Sequence, residues 1–430
     1  MMIALLSFVA VFVLLALGVP LAVALGGVGF VGLVAIVGPN AAGAMLSQTA
    51  FDTANSYTLA VLPLFLFMAN LIARSGTASA LYEASYAFLG RVRGGLAMAT
   101  VAGCAGFGAV CGSSLATAAT MGSVAMPEMR RFGYDSGLAT GSVAAGGTLG
   151  ILIPPSIVLV IYGTITEQSI GDLFLAGIMP GILGAILYIA AIMVAVRLKP
   201  ELAPAATIID LPSRRHSIIG IWPVLLLFSV VIGGLYLGVF SATEAAGIGA
   251  AGALVLGITR GRLSLAEILG GALDAAIMTA VLLFVLIGAL LFSNIMIFSG
   301  FSAALAVMVQ SFGAAPILVV VAIVAVYLVL GCVFDSLAMM LLTVPLFAPL
   351  VAGLGYDLVW FGIVVVVAIE FGMISPPIGM NLFIIRNLNP GIALATIYRG
   401  ILPFLMADIV RLALLILIPA IALALPASMR

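Results

Sequence analysis

Two carboxylates, Asp335 and Glu370, stand inside long apolar stretches with no Lys or Arg near them in sequence. A charge in such a setting is costly and functional by default. It holds a cation, takes a proton, caps a helix end, or pairs with an arginine far along the chain. Each acid sits beside a local irregularity. Asp335 belongs to Gly331-Cys-Val-Phe-Asp-Ser336, and Glu370 precedes Gly372 and Ile374-Ser-Pro-Pro-Ile-Gly379. The first half of the chain carries the same irregularities without the acids, as Gly108-Ala-Val-Cys-Gly-Ser-Ser114 and Gly150-Ile-Leu-Ile-Pro-Pro-Ser156.

The chemistry of these segments follows from the backbone. Proline has no amide donor and clashes with the preceding turn, and it pushes the residue before it out of the helical region. A Pro-Pro pair shortly after Gly150 or Gly372 therefore unwinds a helix. Unwound backbone at membrane depth is tolerated only where protein or a water-filled cavity satisfies it. The freed carbonyls suit a small hard cation; a kinked packing helix is the plainer alternative. The Gly/Ser/Asp segments suit the tips of hairpins. Glycine allows the close turn, and Ser or Asp caps the returning helix. That helix aims its amide end into the site, which favours an anion such as a carboxylate; simple capping without a ligand is again the alternative.

Composition limits what these residues serve. The chain of 430 residues is 65% hydrophobic and 7% charged, with 15 basic and 15 acidic residues. An ordinary soluble domain is roughly 25% charged, so a soluble enzyme, a nucleic-acid binder and a disordered chain are excluded. Long unbroken apolar runs without period-two alternation predict an all-α polytopic membrane protein rather than a barrel. His216 is the only histidine and reads as part of a polar loop, so zinc-hydrolase chemistry lacks ligands. Cys104, Cys111 and Cys332 lie in apolar sequence without Cys-x-x-Cys spacing and read as small core residues. The first 37 residues lack a basic leader and read as two spans rather than a cleaved signal.

Spans are expected near 3–18, 20–38, 58–74, 137–164, 174–196, 218–238, 242–259, 273–298, 358–385 and 400–425. Regions 95–130 and 315–350 are apolar too, but each is interrupted midway, so both read as re-entrant hairpins. The basic residues Arg74, Arg91, Arg93, Arg130, Arg131, Arg197, Lys199, Arg214, Arg215, Arg260, Arg262, Arg386 and Arg399 can then all be cytoplasmic. Loops 39–57, 165–173, 239–243, 299–314 and 351–357 lack Lys and Arg and fall outside, as do both termini. Asp408 and Arg411, three apart, read as an intrahelical pair, and Asp274 as an exposed acid opening a span.

A repeat organises the whole. Ser114 and Ser336, Pro127 and Pro349, Asp135 and Asp357, Gly150 and Gly372, and Pro154 and Pro376 are each 222 apart without a gap. Asp335 takes the place of Ser113, and Glu370 that of Thr148. An odd number of crossings per half inverts the second half, a pattern of secondary transporters with the site at the repeat interface. The division is 1–198 for the first repeat, 199–217 for a cytoplasmic linker and 218–430 for the second repeat.

Several longer motifs then bring a family into view. Pro63-Leu-Phe-Leu-Phe-Met-Ala-Asn70 followed by Arg74-Ser-Gly76, the run Gly106–Thr120, Gly150–Ser156 and Thr243-Glu-Ala-Ala246 together resemble the large membrane (DctM-type, M) subunit of tripartite ATP-independent periplasmic (TRAP) transporters. The resemblance covers nearly the whole chain. Where the family often has Asp-Pro at the second hairpin, this chain has Asp335-Ser336.

The resemblance implies an elevator-type transporter of a bacterial or archaeal inner membrane, importing a small organic acid with sodium and without ATP. It implies a small four-helix membrane partner (Q type), a periplasmic binding protein (P type) that delivers the acid, two or more Na+ ions, and no organic cofactor or nucleic acid. On this analogy Gly112, Ser113, Thr148, Gly150 and Pro154 frame one cation site. Gly331, Asp335, Glu370, Gly372, Ser375 and Gly379 frame the other, and Ser113, Ser114, Ser156, Ser336 and Asn381 meet the acid. The competing expectations are a standalone ion-coupled carboxylate symporter, a channel, and a polytopic membrane enzyme; the last lacks a catalytic His/Cys/Asp set.

Overall fold

The computed structural model describes residues 2–204, 213–311, 313 and 315–429. They are almost entirely helical, and no strand occurs among them. Among the described residues six helices are long and apolar enough to cross a membrane: Ile170–Leu198, Ser217–Tyr236, Ala242–Thr259, Leu265–Phe298, Ser336–Gly353 and Leu394–Leu417. Several expected spans depart from single straight helices. Segment 39–57, expected as an outer loop, contains the helix Pro39–Ala54, which bends by 53° into Thr58–Arg74. Pro39 sits at the first helical position, where its missing amide costs nothing. The expected loop 299–314 carries the helix Phe301–Ser311, and Thr77–Leu89 is a helix that apolar content did not reveal. The last expected span ends at Leu417 and resumes as Ala420–Ser428 after Pro419. His216, expected in a loop, lies in the first turn of Arg214–Tyr236; linker residues 205–212 fall outside the described residues.

Both expected hairpins are present as helix–turn–helix units, Gly95–Cys111 with Ser114–Arg131, and Pro316–Gly331 with Ser336–Gly353. Both expected broken helices are present too. Ser136–Thr148 passes through the turn Leu149–Ile151 and Pro154-Pro155 into Ile157–Thr166. Leu358–Ile374 passes through Pro376-Pro377 into Met380–Leu388. The peptide bond within each Pro-Pro pair is cis. The repeat is visible in the caps as well. Asp135 accepts from the amides of Gly137 and Leu138, and Asp357 from those of Val359 and Trp360.

Two apolar cores hold these parts. One joins Leu25, Phe292, Tyr327, Leu342, Trp360 and Val365. The other joins Met98, Met121, Ala144, Ile385, Ile401 and Phe404. Close backbone packing replaces a hydrophobic drive between helices in lipid. A Cβ on Gly29 would stand 2.9 Å from Leu291 Cβ, where Leu21–Val37 lies on Leu265–Phe298. A Cβ on Gly400 would stand 1.9 Å from the Gly137 carbonyl, where Leu394–Leu417 lies on the first broken helix. Each of these contacts joins an element of one repeat to an element of the other.

Candidate functional site

The first arm of each hairpin docks backbone to backbone on a broken helix just before its break. A Cβ on Gly108 would lie 2.5 Å from Gly150 Cα, and one on Gly331 would lie 2.6 Å from Gly372 Cα. The neighbour is backbone in each case and cannot yield, so Gly108 is required in the first contact and both Gly331 and Gly372 in the second. The tips then meet the breaks. Gly112, at φ +65°, passes so close to the Pro155 carbonyl that a Cβ would stand 2.6 Å from it. In the second half the Gly379 amide donates to the Cys332 carbonyl at 3.4 Å, and Cys332 Sγ to the Pro376 carbonyl at 3.3 Å. Each tip thus meets the break of a broken helix partway along it, the contact expected of a re-entrant hairpin.

The returning arms are capped as their residue types require. Ser113 Oγ accepts from the Ala116 amide at 3.4 Å, and Asp335 Oδ1 from the Ala338 amide at 2.8 Å. Both tips open onto one cavity of about 420 Å³. Gly112, Ser113 and Ser114 line it from the first hairpin, and Asp335 and Ser336 from the second. Its opposite wall includes Asn70 and Ala73 from Val61–Arg74, and Asp274 and Met278 from Leu265–Phe298. That volume fits a small organic ligand.

An oxygen-rich spot lies beside the first tip. A Cβ on Gly150 would meet Thr117 Oγ1 at 2.7 Å and the Ser113 carbonyl at 3.1 Å. The Thr117 hydroxyl is buried without a hydrogen-bond partner among the described residues. An unpaired buried oxygen beside a carbonyl, kept open by a glycine, is a donor set a small cation accepts. Thr117 was not singled out from sequence, since one threonine in an apolar helix carries no signal of its own.

The other residues fall in three places. Asn381 lies beneath Ser114 and ties the second break to the first hairpin. Its Nδ2 donates to Ser114 Oγ at 2.7 Å and to the Ala144 carbonyl at 3.2 Å, while its Oδ1 is buried and unpartnered. Ser156 and Ser375 serve the breaks. Ser156 Oγ donates to the Ile151 carbonyl and accepts from the Leu159 amide, and Ser375 Oγ donates to the Phe371 carbonyl. Pro154 is buried, whereas Pro376 and Pro377 are exposed, so the two breaks differ in surroundings.

Thr148 and Glu370 face away from the tips. Each precedes its docking glycine by two residues, about 200° around a helix. Glu370 Oε2 instead accepts from Arg411 Nη1 at 2.8 Å, both side chains fully buried. Arg411 also reaches Asp408 at 3.4 Å and the Pro180 carbonyl at 3.2 Å. Tyr188 donates to Asp408 at 2.7 Å and lies 3.3 Å from the Thr148 hydroxyl. Gly184 leaves room for the guanidinium, because a Cβ there would stand 2.7 Å from Arg411 Cζ. The pair expected within one helix is thus the centre of a network. That network joins Thr148 of the first broken helix to Glu370, its repeat counterpart in the second.

Asn70, Arg74 and Asp274 were not read as site residues. Asn70 Nδ2 donates to the Gly271 carbonyl at 3.1 Å, and Arg74 Nη2 donates to Asp274 Oδ2 at 2.6 Å. Their separation in sequence, 200 residues, hid the pairing. Among the described residues no group of three or more His, Cys, Asp and Glu side chains is placed to hold a metal ion.

Comparison with known proteins places this geometry. Residues 8–421 match the family model described as "Tripartite ATP-independent periplasmic transporter, DctM component". The chain is 37% identical over 379 residues to the C4-dicarboxylate TRAP transporter large permease protein DctM of Pseudomonas aeruginosa, covering 87% of this chain and 88% of that one. It is 34% identical over 428 residues to the ectoine/5-hydroxyectoine TRAP transporter large permease protein UehC of Ruegeria pomeroyi, covering 97% of both. The fold is similar to the crystal structure of the Alcanivorax borkumensis YdaH transporter, with a TM-score of 0.63 and 16% identity over 88% of each chain. The paired hairpins and breaks are therefore those of a multi-pass transporter permease subunit rather than an enzyme, and the chain belongs to the DctM component family of tripartite ATP-independent periplasmic transporters.

Proposed function

We propose that this subunit imports a small organic acid together with sodium, by alternating access of the elevator type. The observation that carries the reading is the cavity of about 420 Å³ that both hairpin tips line. The amide ends of two returning helices face it, an anion-favouring arrangement. One cation lies by the Ser113 carbonyl, Thr117 and Gly150, and a second by Asp335. Gly112 and Pro154 shape the first site, and Gly331, Gly372, Ser375 and Gly379 the second. Ser113, Ser114 and Ser336 meet the acid, with Asn381 setting Ser114 in place. Ser156 fixes the first break.

Sodium at both breaks orders the tips and offsets their charge. The loaded hairpins and broken helices then slide along a static wall made by Val61–Arg74 and Leu265–Phe298. The relatives' names support an acid as cargo. They include C4-dicarboxylate, ectoine, isethionate and sialic acid, each bearing a carboxylate or sulfonate. One relative is named DctMQ, and this chain covers 58% of it, which supports a Q-type membrane component as partner. A periplasmic binding protein delivers the acid at the outer face of a cytoplasmic membrane.

The test is uptake into proteoliposomes holding this chain, its membrane partner and its binding protein. An inward sodium gradient is expected to raise the accumulation of the cognate acid at least about tenfold over choline, the concentration ratio that 1.4 kcal/mol of driving force sustains. Uptake that is equal in sodium and choline overturns sodium coupling.

A further inference from the structure

The cavity has a charge problem that its lining does not solve. Its two acidic lining residues are Asp274 and Asp335, and no Lys or Arg is among its described lining residues. An anionic ligand there meets two carboxylates. Under the reading of acid import, on which this inference rests, sodium offsets Asp335. Asp274 is offset by protein, through Arg74 Nη2 at 2.6 Å.

The pair is built to be positioned yet exchangeable. Arg74 ends the helix Val61–Arg74, one turn after Asn70, whose amide grips the Gly271 carbonyl. Its guanidinium lies along Gly270, where a Cβ would stand 3.2 Å from Nη1. The neighbouring acid Glu267 is committed elsewhere, accepting from the Ser264 amide and hydroxyl at 2.6 and 2.8 Å. Yet the pair itself is open, with Arg74 36% and Asp274 55% exposed. An ion pair in such surroundings holds only weakly. A guanidinium can donate to any carboxylate that reaches it, so one carboxylate can replace another at little cost.

We infer that Arg74 and Asp274 form an anion-exchange latch in the static wall of the cavity. Asp274 occupies Arg74 while the cavity holds no anion. A ligand carboxylate or sulfonate takes Asp274's place on the guanidinium as it passes the wall. Arg74 is thus a second, fixed source of positive charge, independent of sodium, and Asp274 is its internal competitor.

The experiment uses the full-length chain in lipid nanodiscs with Met278→Cys as reporter, and with Cys111→Ser and Cys332→Ser to remove the thiols at the two tips, of which Cys111 lines the cavity. Met278 lines the cavity one turn from Asp274 and is exposed. The rate of modification by an anionic methanethiosulfonate, divided by that of a cationic one, reads the local potential. Asp274→Asn is expected to raise this ratio at least about fivefold and Arg74→Gln to lower it by a similar factor, since each leaves one charge bare. The double variant is expected to return to the parent value. In the Asp274→Asn protein, succinate is expected to protect the reporter at concentrations at least about tenfold lower than in the parent, as its competitor is gone. A ratio unmoved by either substitution, shifts of the same sign in both, or succinate protection that is absent or equal in Asp274→Asn and parent overturns the latch. None of these readouts needs a sodium gradient. Loss of sodium-driven uptake alone would strike the coupling and leave the latch standing.

Discussion

Replacing Arg411 by methionine is expected to destabilise the fold by about 3–5 kcal/mol, the cost of leaving a buried charge without its partner. The guanidinium touches Glu370 at 2.8 Å, Asp408 at 3.4 Å and the Pro180 carbonyl at 3.2 Å, with all three charged side chains fully buried. Without it, two carboxylates are left in a buried interior, with the Tyr188 hydroxyl bonded to Asp408 and no such partner for Glu370 among the described residues. The loss falls on the contact between the two broken helices, because Thr148 and Glu370 belong to different repeats. A large drop in the thermal midpoint of the purified protein, with reduced recovery from membranes, is the expected result. Adding Glu370→Leu to Arg411→Met is expected to recover part of the loss, since an apolar replacement for a buried pair is far cheaper than half a pair. If the double variant is no more stable than the single one, the network is not what holds the two repeats together.

The second large effect is on coupling. Ser113→Ala with Asp335→Ala is expected to raise the sodium concentration for half-maximal uptake at least about tenfold, or 1.4 kcal/mol. Asp335 does two jobs, because its Oδ1 caps the returning helix at Ala338 while its charge faces the cavity. Loss of the cap alone costs about 0.5–2 kcal/mol of stability. Asp335→Ser separates the two, since the repeat already uses serine as the cap at Ser113. That variant is expected to keep the thermal midpoint and still lose sodium affinity. Unchanged sodium dependence in both variants would remove the Asp335 carboxylate and the Ser113 hydroxyl from ion binding. Ser113→Ala alone is expected to do less, as its carbonyl rather than its hydroxyl stands beside Gly150.

The parts of the fold that were legible in sequence are those written in local chemistry. Pro154-Pro155 and Pro376-Pro377 announce unwound backbone wherever they sit, and Gly112-Ser113 and Asp335-Ser336 announce a turn with a cap. The 222-residue offset pairs them without any knowledge of the fold. What stayed hidden depends on contacts between distant residues. Glu370 was recognised as an expensive charge, and pairing with a distant arginine was one of its open readings, but nothing local points to Arg411. Helix phase then decides the matter: two residues before a docking glycine is the wrong face for a cation at the tip. Thr117 and Asp274 were missed for a related reason. A hydroxyl in an apolar helix and an acid near a helix start are common, and only the approach of Gly150 and of Arg74 gives them roles. The helix Pro39–Ala54 escaped because polar residues interrupt its apolar run, and Phe301–Ser311 because its 11 residues are too few to read as a span.

Two mirrored hairpin–break pairs hold cations where their tips share a cavity, and a high-resolution map of the wild-type chain in lipid nanodiscs, recorded once in sodium and once in choline, tests this most directly. The expected result is two sodium-dependent peaks, one within about 2.5 Å of the Ser113 carbonyl and Thr117 Oγ1, the other beside Asp335, distances usual for hard cations on oxygen. Identical maps in the two salts, with both tips ordered and no peak at either break, would contradict it.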